Sequence, residues 1–132
     1  MVRKQMGFTI IELVVVIVIL GILSAVALPR YVNISAQAGA AAASGVAASV
    51  SSATSINYAA RKVSNPSAIP NLTSCNAVNT NIGTLMAGGL PSGYVITADA
   101  TVCTDGTSRA CQVVNNNTSP VQTASAVIVC VN

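Results

Sequence analysis

From Phe8 to Leu28 the chain reads FTIIELVVVIVILGILSAVAL, 21 residues that are nearly all apolar and hold one ionisable group, Glu12. At about 1.5 Å of rise per residue, a helix over this run covers roughly 30 Å, the thickness of a bilayer's hydrocarbon core. After Arg30 the pattern turns amphipathic. Ala42, Val46, Val50, Ala53, Ile56, Ala60 and Val63 recur at spacings of three and four and share one predicted helix face, with Ser44, Ser51, Ser55 and Lys62 opposite. Within the apolar run Gly21 and Ser24 weaken the helix modestly, and Pro29 is expected to close or kink it. Gly39 and Gly45 each cost about 1 kcal/mol relative to alanine. Taken whole, Thr9 to Val63 predicts one helix of about 80 Å if unbroken. A globule of this size cannot cover that length, so something else must bury its first half.

Ser64 to Leu72 (SNPSAIPNL), with two prolines among polar turn formers, reads as the loop leaving the helix. Beyond Cys75 the composition shifts to Asn, Thr, Gly and Val. Strands are predicted at Gly93–Thr97, Ala110–Val114 and Ala124–Val131, separated by turn signals at Asp105-Gly106 and Asn115–Pro120. An antiparallel sheet of three or four strands lying on the second half of the helix fits this order. The stretch from Ser64 to Asn132 is small for a core to hold alone, so covalent staples are expected.

The four cysteines, Cys75, Cys103, Cys111 and Cys130, all lie in that stretch. None is spaced as CxxC and the chain has no histidine, so disulfides in a periplasmic or extracellular setting are favoured over a metal site. Cys103 and Cys111 flank a seven-residue Asp-Gly turn and could close a hairpin, with Cys75 to Cys130 then tying the loop to the last strand. Three connectivities remain open.

Charged residues make up 7% of the chain against 52% hydrophobic, which excludes disorder. The net charge of +3 includes Arg3 and Lys4; without the first seven residues it is +1, too little to support nucleic-acid binding through Arg61, Lys62 and Arg109. Three acidic residues and no histidine leave little for acid–base catalysis and exclude a Ser-His-Asp triad. No cofactor is implied and no enzyme activity is expected. What does need a role is Glu12, since a charge at membrane depth is costly. Arg30, the next ionisable residue, lies about 27 Å further along a helix, so no internal partner is expected for this carboxylate.

A short basic leader ending in Gly7, then Phe8, then Glu12 inside an apolar run, K-Q-M-G-F-T-I-I-E-L, resembles the class III signal of type IV pilins and their pseudopilin relatives. The close resemblance covers Arg3 to Tyr31, and VVVIVILGIL looks nearest to the type IVa, mannose-sensitive haemagglutinin kind. Beyond that, only the layout agrees. The resemblance implies cleavage between Gly7 and Phe8 by a prepilin peptidase on the cytoplasmic face, followed by N-methylation of Phe8. Glu12 would pair with the Phe8 amine of a neighbouring copy, while Gly21 and Pro29 would act as helix breakers bracketing a segment that unwinds in the filament. Cys111 and Cys130 fall where these proteins form a C-terminal disulfide loop, and the two further cysteines depart from the one-disulfide pattern.

The predicted fold is therefore α+β, a long N-terminal helix packed on a small antiparallel sheet with a C-terminal disulfide loop. Its expected divisions are a cleaved leader at 1–7, a transmembrane and polymerisation helix at 8–29, an amphipathic half at 30–63 and a head at 64–132. The implied function is structural: a homopolymer, assembled by inner-membrane pilus machinery from a membrane-held precursor into a filament outside a bacterial cell. A pseudopilin of a type II secretion system is the alternative within the family. From another class comes a secreted or anchored binding domain with an ordinary signal peptide, cut after Ala25-Val26-Ala27. Glu12 at the front of the apolar stretch and Pro29 just past that cut argue against it.

Overall fold

A computed structural model of the chain describes residues 7–132; the basic leader residues Arg3 and Lys4 lie outside the described residues. Contacts divide the chain into two compact units that meet between Ser35 and Ala36. Helix α1, Ile10–Lys62, contributes to both. In the first unit it is the only regular element among the described residues. α1 is helical through Gly21 and on through Pro29, which corrects the expectation that Pro29 closes it. Proline deletes one donor, the one that would reach the carbonyl of Ala25, and the surrounding turns of good helix formers carry the helix past that loss.

The second unit holds the end of α1, a short helix α2 (Cys75–Leu85) and three strands, β1 (Tyr94–Ile96), β2 (Ser108–Asn115) and β3 (Gln122–Val129). The strands form an antiparallel sheet in the order β1-β2-β3, with Val95 opposite Val114 and Val113 opposite Ala124. Each lies within two residues of the stretch its period-two pattern predicted. Alternate residues of β2, Cys111, Val113 and Asn115, point inward and are buried, as do Ala126 and Ile128 of β3. They meet Val50 of α1, Leu72, Val78 of α2, Ile96 and Val131 in one core. Full burial of a side chain of that size contributes about 1.5–3 kcal/mol.

The face α1 gives to this core is Gly39, Ala43, Ala47, Val50, Thr54 and Asn57. That face is rotated from the predicted Ala42–Val63 stripe, of which Ala42, Ile56 and Val63 are exposed. The cause lies in the polar residues. Thr54 Oγ1 accepts from Val129 N at 3.3 Å, and Ser51 Oγ, predicted to face solvent, accepts from Val127 N at 2.9 Å. Asn57 donates to Ile69 O (2.9 Å) and accepts from Ile69 N (2.7 Å). Backbone groups that need partners thus draw a polar edge of the helix inward. At Gly39 the helix comes so close to the β2–β3 turn that a Cβ would sit 2.5 Å from Thr118 Cγ2, and the Gly39 carbonyl accepts from the buried Asn115 amide at 3.2 Å.

Helix α2 was not expected, because CNAVNTNIGTL is rich in weak helix formers. It is held instead by its ends. Ser74 caps it by accepting from Ala77 N at 3.1 Å, and Cys75 in its first turn is bonded to Cys111 of β2, Cα–Cα 5.6 Å. The second bridge joins Cys103 to Cys130, Cα–Cα 6.1 Å. The nested pairing of Cys103 with Cys111 and of Cys75 with Cys130 is therefore overturned: the bridges cross. Cys111 points into the core beneath α2, out of reach of its own hairpin. Cys103 lies instead on a loop that runs beside Thr73, donating its N–H to Thr73 O (2.7 Å), and reaches the end of β3.

Candidate functional site

Phe8 and Gly7 precede the helix and are exposed, Phe8 by 83%. Thr9 is the residue on which α1 starts. Its carbonyl accepts from Leu13 N and its hydroxyl from Glu12 N, both at 3.3 Å. In return, Glu12 Oε2 accepts from Thr9 N (2.8 Å) and from Thr9 Oγ1 (2.6 Å). This is a reciprocal capping box, which satisfies donors at a helix start that would otherwise be left unpaired. Glu12 is thus not without internal partners, as its distance from Arg30 suggested. The signal that would have found them is the T-x-x-E spacing of Thr9 and Glu12. Thr9 supplies neutral donors only. Among the described residues no Lys or Arg is within ion-pairing reach of Glu12, and its charge remains.

Around Glu12 the surface is apolar: Phe8, Ile11, Val15 and Val16 surround the carboxylate in a shallow depression. Every large apolar side chain from Phe8 to Leu28 is at least 45% exposed, and an 18-residue window of the helix has a mean hydropathy of 3.0. The helix is long and apolar enough to cross a membrane. Its one hydroxyl in mid-run, Ser24, donates to Leu20 O at 2.7 Å, so it presents no unpaired donor to an apolar surrounding. A Cβ added at Gly21 would meet nothing within 4 Å. Chemically, Phe8 to Leu28 is an apolar surface with one carboxylate near its start, suited to a cation that arrives from elsewhere.

The charged residues of the second unit are engaged with one another or with the backbone. Lys62 pairs with Asp105 and Arg109 with Asp99, while Arg61 donates to Asn132 O at 3.1 Å. Asp99 is held down to a pKa of about 2, chiefly by hydrogen bonds from the Thr101 hydroxyl and N–H and then by Arg109. Among the described residues no three His, Cys, Asp or Glu side chains gather as a metal site.

The Gly7-Phe8 pair, an apolar helix of membrane length and a carboxylate near its start are grouped in one short segment. Residues 2–28 match the family model for the prokaryotic N-terminal methylation motif. The N-terminal segment is thus similar to the processed segment of known pilus subunits. The chain is 54% identical over 53 residues to the type IV narrow pilus major component PilA5 of Thermus thermophilus, a match over 40% of this chain and 46% of the relative. It thus spans about half the length of that curated relative. No solved structure matches.

Proposed function

We propose that this chain is the major subunit of a type IV pilus, cut between Gly7 and Phe8, methylated on the Phe8 amine and polymerised through its N-terminal helix. The observation that carries the reading is the Gly7-Phe8 junction and Glu12 set in front of a wholly exposed apolar helix, within the stretch that matches the methylation motif. The role is structural rather than catalytic. Before assembly the bilayer covers residues 8–29; afterwards other copies do, with residues 64–132 carried on the filament surface. In a low-dielectric bundle, the Glu12 carboxylate is offset by the Phe8 amine of a neighbouring subunit, which sets axial register. Gly21 and Pro29 are the positions where the helix yields as the subunits pack.

The test is the intact mass of the subunit in filaments sheared from the cell surface. A chain starting at methylated Phe8 with two closed disulfides is expected, and a chain starting at Leu28 refutes the reading. Filaments absent from the surface, with the processed chain kept in the periplasm, would replace it with the pseudopilin role. Glu12→Ala is expected to leave cleavage and membrane insertion intact and to cut filament yield at least tenfold, since an unpaired buried charge partner costs about 3–5 kcal/mol. Normal filament yield from that variant alone would remove Glu12 from assembly.

A further inference from the structure

Among the described residues one cation has no partner. Arg61 donates to the Asn132 carbonyl, Lys62 pairs with Asp105 and Arg109 with Asp99, whereas Arg30 forms neither a hydrogen bond nor an ion pair with any described residue. Arg30 is exposed and directly follows the apolar run, and Tyr31 beside it is 76% exposed. No carboxylate of the chain is spare for it. Asp99 and Asp105 are taken, and Glu12 lies at the far end of the run. The partner left is an anion that does not belong to the protein.

We infer that Arg30, with Tyr31 beside it, binds the phosphate of phospholipids at the outer face of the bilayer and fixes the depth at which the subunit waits before assembly. The inference rests on the proposed membrane-held subunit and names the ligand of its outer end. Three features select a lipid phosphate. The leader cations Arg3 and Lys4 keep the start of the chain on the cytoplasmic side, so Arg30 emerges at the opposite headgroup layer. A guanidinium presents a planar fork of donors that matches phosphate oxygens two at a time, and a tyrosine ring settles at the same level, its apolar body inward and its hydroxyl in water. On a helix both side chains lean towards the N-terminus, which here is back towards the lipid rather than out into water.

Length makes this contact decide the depth. Between Glu12 and Arg30 the uncharged run Leu13–Pro29 has 17 residues, about 25 Å of helix against roughly 30 Å of hydrocarbon. A run this short stands upright rather than tilted, and the charges at its two ends cannot both be fully hydrated at once. With Arg30 held among phosphates, Glu12 stays just inside the inner edge of the hydrocarbon. Without Arg30 the next charged residue is Arg61, and no charge stops the helix from sliding inwards until Glu12 reaches water.

The experiment reconstitutes the full chain, isotope-labelled at its guanidinium carbons, in vesicles of phosphatidylethanolamine and phosphatidylglycerol. Dephasing of those carbons by lipid phosphorus is read by solid-state NMR. Part of the dephasing is expected to be lost in Arg30→Lys and none in Arg61→Lys. No loss in Arg30→Lys, or an equal loss in Arg61→Lys, overturns the inference. So does equal dephasing at Arg30 in frozen detergent micelles holding only inorganic phosphate, which would make free phosphate the ligand. Depth is read separately. The chain has no tryptophan, so Ile34→Trp is a single reporter one turn beyond Arg30. Adding Arg30→Leu is expected to shift its emission to the blue and to raise quenching by lipids brominated in the acyl chain at least twofold, while Arg30→Lys leaves it in place. Closed disulfides and unchanged melting show that the variants are folded. An unmoved reporter in Arg30→Leu overturns the inference. These failures leave the proposed function standing if wild-type filaments form, whereas a wild-type chain that does not enter the vesicles refutes the membrane-held subunit and the anchor together.

Discussion

Replacing Cys75 and Cys111 together by alanine tests the crossed disulfides directly. The two ends of that bridge lie 36 residues apart, and closing such a loop in the unfolded chain is worth about 3.8 kcal/mol. The Cys103–Cys130 bridge closes 27 residues and is worth about 3.6 kcal/mol on the same basis. Crossing leaves each loop nearly its full length, and allowing for the residual structure of the unfolded chain, losing one bridge while the other stands costs about 3 kcal/mol. For a folded unit near a hundred residues this lowers the melting temperature by about 12–24 °C. The assay is thermal unfolding of the full chain in detergent, followed by near-ultraviolet circular dichroism, with iodoacetamide added beforehand and mass read afterwards. No carbamidomethyl adduct is expected, because Cys103 and Cys130 remain joined. Two adducts per chain without reductant would show that these cysteines had been paired with the deleted ones, and the arrangement described above would be wrong. An unchanged melting temperature would refute the entropic argument alone.

Thr54→Val keeps the side-chain shape but leaves the Val129 N–H without its partner, and about 1–3 kcal/mol of stability is expected to go in a urea titration. Thr54→Ser should restore most of it, and faster amide exchange confined to Val129 would locate the loss. Gly93 has φ +81° and a Cβ there would run into the Asn117 side chain, so Gly93→Ala is expected to cost about 2 kcal/mol. Gly45, in helical conformation with open space around it, should behave oppositely, Gly45→Ala adding about 1 kcal/mol; equal effects from the two would refute the conformational reading. Asp99 titrates near pH 2 in the fold and near 3.9 when unfolded, so its contribution is complete above about pH 4 and fades as pH falls through 2. A melting curve repeated across that window should slope less steeply with pH in Asp99→Asn than in the wild type.

The large elements were legible because each had one period and little competition. Phe8–Leu28 could be nothing but an apolar helix, and Val, Thr and Ala in alternation placed β1, β2 and β3 within two residues. Thr54 and Asn57 hid the true inner face of α1, since a polar residue at a core position reads as solvent-facing until its hydrogen-bond partner is known. For Thr54 that partner is a strand edge 75 residues away, and for Asn57 the Ile69 backbone beyond the end of the helix, which no helical pattern can contain. Helix α2 escaped for a related reason: its stability comes from Ser74 and the bond of Cys75 to Cys111, not from the propensities of its Asn and Thr residues. The cysteine pairing depends on where the 97–107 loop returns, a tertiary matter. At the junction, Gly7, Phe8 and Glu12 stood out in the sequence. The cap made by Thr9 was missed although T-x-x-E was there to read, because the membrane cost of Glu12 drew attention to a distant cation.

The hydroxyls of Ser51 and Thr54 have a further consequence for how copies of this chain meet. A last strand with open N–H groups invites a like strand from the next molecule, and such pairing, once begun, grows into insoluble aggregates. Along Val127 to Val129 that invitation is withdrawn, because the helix already occupies the donors. Copies at high local density are thereby steered away from sticking sheet to sheet there, which leaves the helices as the route of contact that the proposed filament requires.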